Sequence, residues 1–146
     1  MFCYQCQETA FGTGCTKRGV CGKTEDVAKL QDVLIYSLKG IAEVVVADNI
    51  PVKDIPDVNH ELVNSLFMTI TNANFDKERF VTRILEAIAL RDELATKVGI
   101  STNCDCTTWR AATTEDMEEK AATVGVLTAE NEDIRSLREL LIYGLK

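Results

Sequence analysis

The sequence is short of histidine and proline and has no long apolar run, and each shortage excludes something. His60 is the single histidine. It stands beside Glu61 with no serine or cysteine constellation to serve, so it reads as a surface or capping residue. Two prolines and eight glycines in 146 residues argue against a disordered or fibrous polymer. No apolar stretch approaches the ~20 residues of a membrane span. Basic residues are outnumbered 16 to 23, and the net charge of -7 argues against a nucleic-acid footprint. The sequence offers no phosphate-binding loop, no nucleophile motif and no carboxylate pair in an apolar setting. Cys3 follows Met1 and Phe2 without a basic or apolar leader, so no signal peptide is expected. The expected location is the cytoplasm, where clustered cysteines serve metals or catalysis more often than disulfides.

What is present is an ordinary apolar fraction, 46%, enough for one domain with a core that needs no disulfide staples. Residues 1–24 lack helical periodicity and are punctuated by Gly12, Gly14, Gly19 and Gly22, so an irregular loop is expected. Thr24 reads as an N-cap, with Glu25 and Asp26 where a helix dipole favours acids. Val27, Leu30, Leu34, Leu38, Ile41 and Val45 then mark a buried stripe, ended at Asp48-Asn49-Ile50-Pro51. A second helix is expected from about Pro56, with Leu62, Leu66, Phe67 and Ile70 on its apolar face. A third is capped by Asp76, buries Phe80, Ile84, Ala87, Ile88 and Leu94, and closes at Gly99. The fold class is therefore all-α: a cysteine-rich loop (1–24), a three-helix bundle (25–99), a polar linker (100–113), and then 114–146. That last part holds a short acidic helix over 114–124 and a helix capped at Asn131.

The last helix repeats the first. TEDVAKLQDVLIYSLK (24–39) aligns without a gap to NEDIRSLRELLIYGLK (131–146), and eight of the 16 positions are identical. The repeat implies the start of a second bundle, interrupted at Lys146. The apolar face of 134–145 then lacks its partners, and burying each Leu or Ile is worth ~1.5–3 kcal/mol. It is expected to dock on the first bundle or to pair with a second copy of the chain as a homodimer.

Four of the six cysteines, Cys3, Cys6, Cys15 and Cys21, fall within the first 21 residues at the spacing C-x2-C-x8-C-x5-C. Four thiolates in a glycine-containing loop can hold an iron–sulfur cubane or a tetrahedral zinc. Structural zinc favours two close ligand pairs, and the second pair here is widely spaced. Free or disulfide-bonded cysteines are the remaining reading. Lys17, Arg18 and Lys23 would offset the negative charge of a thiolate-bound cluster, or simply form a solvated loop face. Cys104-Asp105-Cys106 is a poor chelate with no partner pair nearby and reads as two linker thiols. Trp109 reads as a plug for a hydrophobic groove. Glu115, Asp116, Glu118 and Glu119 read as a solvated helix face.

The stretches MFCYQCQETA, GCTKRGVCGKTED, LQDVLIYSLKGIA, TITNANFD and VGVLTAENEDIRSLRELLIYGLK resemble the N-terminal domain of the hybrid-cluster proteins, the hydroxylamine reductase or prismane family. The resemblance covers nearly the whole chain and is weakest at 100–113. It implies an all-helical domain whose N-terminal cysteines, here Cys3, Cys6, Cys15 and Cys21, bind a [4Fe-4S] cluster. A divergent subfamily with a longer second gap is thought to carry a [2Fe-2S] cluster. The resemblance further implies a parent enzyme that reduces hydroxylamine to ammonia and water at a separate hybrid iron–sulfur–oxygen cluster, held by later domains. This chain lacks that catalytic site and has no catalytic residue of its own. The function expected of it is electron transfer between an unidentified donor and the parent's remaining domains, with no nucleic-acid or membrane partner. The alternative is a helical module stapled by zinc or a cluster for folding or partner docking.

Overall fold

The computed structural model describes residues 1–6, 10–99 and 102–146, which are all-helical. Six α-helices follow in order: α1 (Glu25–Ala47), α2 (Pro56–Met68), α3 (Lys77–Val98), α4 (Asp105–Thr108), α5 (Thr114–Val124) and α6 (Glu132–Leu145). The β structure among the described residues is an isolated antiparallel bridge between Cys3 and Cys15. No described helix is long and apolar enough to cross a membrane. Positions 7–9 of the expected loop and 100–101 of the expected linker lie outside the described residues.

Local chemistry sets most helix ends. Asp76 and Asn131 accept from the backbone N–H groups of Arg79 and Ile134. Thr113 and Asp116 form a reciprocal capping box. Pro56 opens α2, and Gly99 closes α3 at φ 71°. Thr24 differs: its side chain makes no capping bond and instead hydrogen-bonds to the Asp26 carboxylate, which holds that carboxyl below its ordinary range.

Helix α1 is the central element, packed chiefly on α3, then on α5 and α4, and lightly on α2. Leu30, Val33, Leu34, Ile41 and Val44 of α1 share one core with Phe80, Ile84 and Ala87 of α3 and Met117 of α5. Val44, rather than the expected Val45, continues the stripe inward; the step of three from Ile41 keeps it facing the core, and Val45 is half-buried. On α2, Leu62 and Leu66 pack on the core, but Phe67 is 63% exposed because α2 reaches the core mainly through Val58 and Ser65. Within 100–113 the structure contains α4, and it buries Cys106 and packs Trp109 on the core.

The repeated helices meet different surroundings. Leu30, Leu34 and Leu38 of α1 are 1%, 0% and 4% exposed; their counterparts Leu137, Leu141 and Leu145 of α6 are 65%, 65% and 63% exposed. Leu141, Ile142 and Leu145 border an open apolar cavity of about 560 Å³ with Ile35, Leu38 and Leu66. So α6 rests against the bundle without burying a single residue, which is looser docking than its apolar face led us to expect.

Candidate metal centre

Two main-chain hydrogen bonds shape the N-terminal loop. The Phe2 N–H donates to the Cys15 carbonyl at 2.8 Å, and the Cys15 N–H donates to the Cys3 carbonyl at 2.9 Å, which sets Cys3 opposite Cys15. Gly14, at φ 90°, makes this approach feasible, because a side chain there would run into the Met1 side chain and the Cys3 carbonyl. On the other side, Cys6 and Cys21 line one open cavity of about 680 Å³, together with Gln5, Val20, Thr71, Asn72 and Tyr143. All four sulfurs are free thiols; Cys15 is buried and the other three are half-buried. Burial pushes the Cys3 thiol above its ordinary value, with the Lys23 charge acting in the opposite direction.

Among the described residues no three of His, Cys, Asp or Glu converge on a point where one metal ion could sit. A cubane makes a different demand. Each cysteine binds its own iron, so the thiolates surround a body instead of meeting at one. An all-sulfur donor set, with one pair bridged through the main chain and another pair beside an open cavity, fits that demand chemically. Cys3, Cys6, Cys15 and Cys21 are the residues that could hold such a group.

Lys23 is the basic residue that departs from a solvated loop face. Lys17 and Arg18 are exposed, whereas Lys23 is 1% exposed. Its ammonium donates to Gln31 Oε1 at 2.6 Å, to Gln5 Oε1 at 2.8 Å and to Cys3 Sγ at 3.8 Å. A buried cation therefore stands against one of the four sulfurs. No sequence signal distinguishes it from its neighbours.

A carboxylate pair, which the sequence reading did not anticipate, also lies partly buried between α1 and α6 among lysine charges. Asp32 of α1 is pushed up to about 7, first by burial and then by the nearby charge of Glu139 from α6. Its carboxylate faces Gly125, where an added Cβ would stand 2.5 Å from Oδ2. Burial raises Glu139 as well, and one of its oxygens is buried without a partner among the described residues. Lys146 completes the group; burial lowers its pKa, and its ammonium donates to the Thr69 carbonyl at 3.1 Å. The pair joins residues over a hundred positions apart in the sequence, so no local pattern could reveal it.

The other candidates fall elsewhere. His60 is exposed. Trp109 packs on the core and meets the Tyr36 ring edge-on at 6.1 Å. Cys106 backs onto Gly40, some 22 Å along α1 from its N-terminal end at 1.5 Å per residue, so Cys104 and Cys106 stand far from the loop cysteines.

A sequence model of the Prismane/CO dehydrogenase family matches residues 1–146. The chain is 53% identical to a hydroxylamine reductase of Parabacteroides distasonis, aligned over 100% of this chain and 28% of that protein. It is 52% identical to the hydroxylamine reductase of Acetivibrio thermocellus, over 100% of this chain and 27% of that one. Identity to the hydroxylamine reductase of Desulfitobacterium hafniense is 54%, again over 100% and 28%. The chain thus spans just over a quarter of the length of these relatives.

Proposed function

The chain belongs to the Prismane/CO dehydrogenase family, and from that premise we propose that it is the N-terminal electron-entry part of a cytoplasmic hydroxylamine reductase. The parent reaction is the reduction of hydroxylamine to ammonia and water. In this reading Cys3, Cys6, Cys15 and Cys21 hold a [4Fe-4S] cluster, and the parent's hybrid cluster and catalytic residues lie beyond this chain. The observation that carries the proposal is the loop itself, four free thiols of which Cys3 and Cys15 are paired through the main chain and Cys6 and Cys21 line an open cavity, with the buried Lys23 ammonium against Cys3.

When bound, the cluster supplies one-electron exchange. The chain supplies the rest. The Cys3–Cys15 bridge fixes two ligands relative to each other, and burial of Cys15 keeps solvent from its sulfur. Lys23 places a positive charge beside a thiolate, which favours the ionised ligand and the more reduced state of any cluster bound there. Six unpaired cysteines suit a reducing compartment. The exposed leucines of α6 are a surface for the rest of a longer protein, or for a second copy, to cover.

Iron, zinc and sulfide analysis of anaerobically purified protein tests the proposal, with absorption spectra before and after dithionite. About four irons and four sulfides per chain, with a visible band that bleaches, is the expected result. One zinc and no colour would leave a structural staple and remove the redox role.

A further inference from the structure

Cys104 and Cys106 are separate from the loop, and their arrangement is asymmetric. Their sulfurs stand 2.8 Å apart, well inside van der Waals contact. Cys104 is exposed and caps α4 through its backbone, with no side-chain capping bond. Cys106 is buried, and its backbone is clamped on both sides. Arg91, itself 1% exposed, donates from one guanidinium nitrogen to the Cys106 and Trp109 carbonyls at 2.9 Å each. Gly40 of α1 lies so close to the Cys106 carbonyl that no side chain fits between them. One sulfur thus belongs to an exposed cap residue, while the other belongs to a buried one held on a fixed frame.

We infer that Cys104 and Cys106 form a redox-active dithiol, in which Cys104 attacks a low-molecular-weight disulfide and Cys106 resolves the product to an intramolecular disulfide. In the first step the Cys104 thiolate bonds to one sulfur of RSSR, the S–S bond breaks, and RS⁻ leaves. In the second, Cys106 bonds to Cys104, the mixed disulfide breaks, and the Cys106 proton leaves with the second RSH. In sum, with the proton that Cys104 lost on ionising taken up by RS⁻, the protein dithiol gives two electrons and two protons to RSSR, producing one protein disulfide and two RSH.

The roles follow from the surroundings. A residue separation of two limits the Cα distance to about 7 Å, and disulfides span about 4.4–6.8 Å, so closure needs little backbone movement. The Cys106 thiol is pushed up to about 12, first by burial and then by its hydrogen bond to Cys104 and the Cys104 charge. It keeps its proton and donates to Cys104, which leaves Cys104 as the nucleophile. Once Cys104 is capped, both of its contributions to holding that proton disappear, and the buried thiol is released for the second step.

The test uses the reduced full chain under anaerobic conditions, oxidised glutathione as the probe, and a maleimide quench before trypsin. Lys97 and Arg110 bound a tryptic peptide, VGISTNCDCTTWR, that carries these two cysteines and none of the loop ligands. The peptide should be recovered two hydrogens lighter and unalkylated, without glutathione attached. The variant Cys106→Ser should retain one glutathione, on Cys104. In folded Cys104→Ser, Cys106 should react at least tenfold more slowly than it does in the chain unfolded by guanidinium. A wild-type peptide carrying two maleimides or a lasting glutathione adduct would overturn the proposal. Equal reactivity of the two cysteines in the folded chain would do so too. None of these readouts depends on whether the loop carries iron, zinc or nothing.

Discussion

Replacing Asp32 with asparagine should stabilise the protein increasingly as pH rises. The folded state raises this carboxyl from 3.8 to about 7, mainly by burial and then by the Glu139 charge, against smaller opposing contributions from Lys146, Lys23 and Lys39. The folded chain therefore binds the proton more tightly than the unfolded chain between those values. The stability gained from this is complete below the unfolded value and is lost as pH rises through about 7. Roughly three pH units at about 1.4 kcal/mol each give on the order of 4 kcal/mol in all. About 2.7 kcal/mol remains at pH 5 and almost none at pH 8. Asparagine cannot ionise and loses nothing over that range. The advantage of Asp32→Asn over the parent chain should accordingly grow by ~2–3 kcal/mol from pH 5 to pH 8, about 5–10 °C in midpoint for a chain of this size. Thermal or urea unfolding at both pH values, on samples matched for iron, reads it directly. An advantage that stays flat or shrinks would refute the reasoning. It would mean the carboxylate is ionised and held as a partner of Lys23 and Lys146.

Three further substitutions probe the frame. Lys23→Met leaves Gln5 and Gln31 without their donor, at ~1–3 kcal/mol for each buried group left unpaired, and should make the loaded chain harder to reduce in a potentiometric titration. Gly40→Ala places a Cβ about 3.1 Å from the Cys106 carbonyl carbon and closer still to its oxygen; unfolding should show a loss of ~1–3 kcal/mol, and Cys106 should become open to alkylation. Arg91→Met strips the Cys106 and Trp109 carbonyls of their buried donor and Asp92 of its 2.8 Å ion pair. It should cost ~3–5 kcal/mol, with the amides of 105–109 the first to lose hydrogen-exchange protection.

The helices were readable because each carries its own signal. Asp76 and Asn131 are caps of the expected chemistry, and Phe80, Ile84 and Ala87 recur at helical spacing. Position 91 continues that same stripe after Ile88, so the burial of Arg91 could have been suspected from spacing, although its charge argued for solvent. The cysteine loop was visible as composition. Its frame was not, because the Cys3–Cys15 bridge is made by main-chain groups that every residue possesses. Lys23, Asp32 and Glu139 stayed hidden for a related reason. Each is an ordinary charged residue in sequence, and its unusual state comes from partners on other elements. Leu137 and Leu141 show the reverse case, where the pattern of a core helix is present and the core is not.

Arg91 grips the segment after α3 by two carbonyl oxygens, and carbonyls are the same whatever side chain follows them. A mutation at position 109, or at the surface positions around α4, leaves that grip intact provided the backbone keeps its path. The attachment is thereby separated from the identity of what is attached. A lineage carrying this arginine can vary exposed positions such as Asn103, Cys104 and Ala112, adding or discarding reactive groups there, while Trp109 and Thr113 stay tied to the core and to the α5 cap. Position 91 should drift slowly and the stretch it holds quickly, which makes that stretch the natural place for relatives to differ in chemistry while sharing a fold.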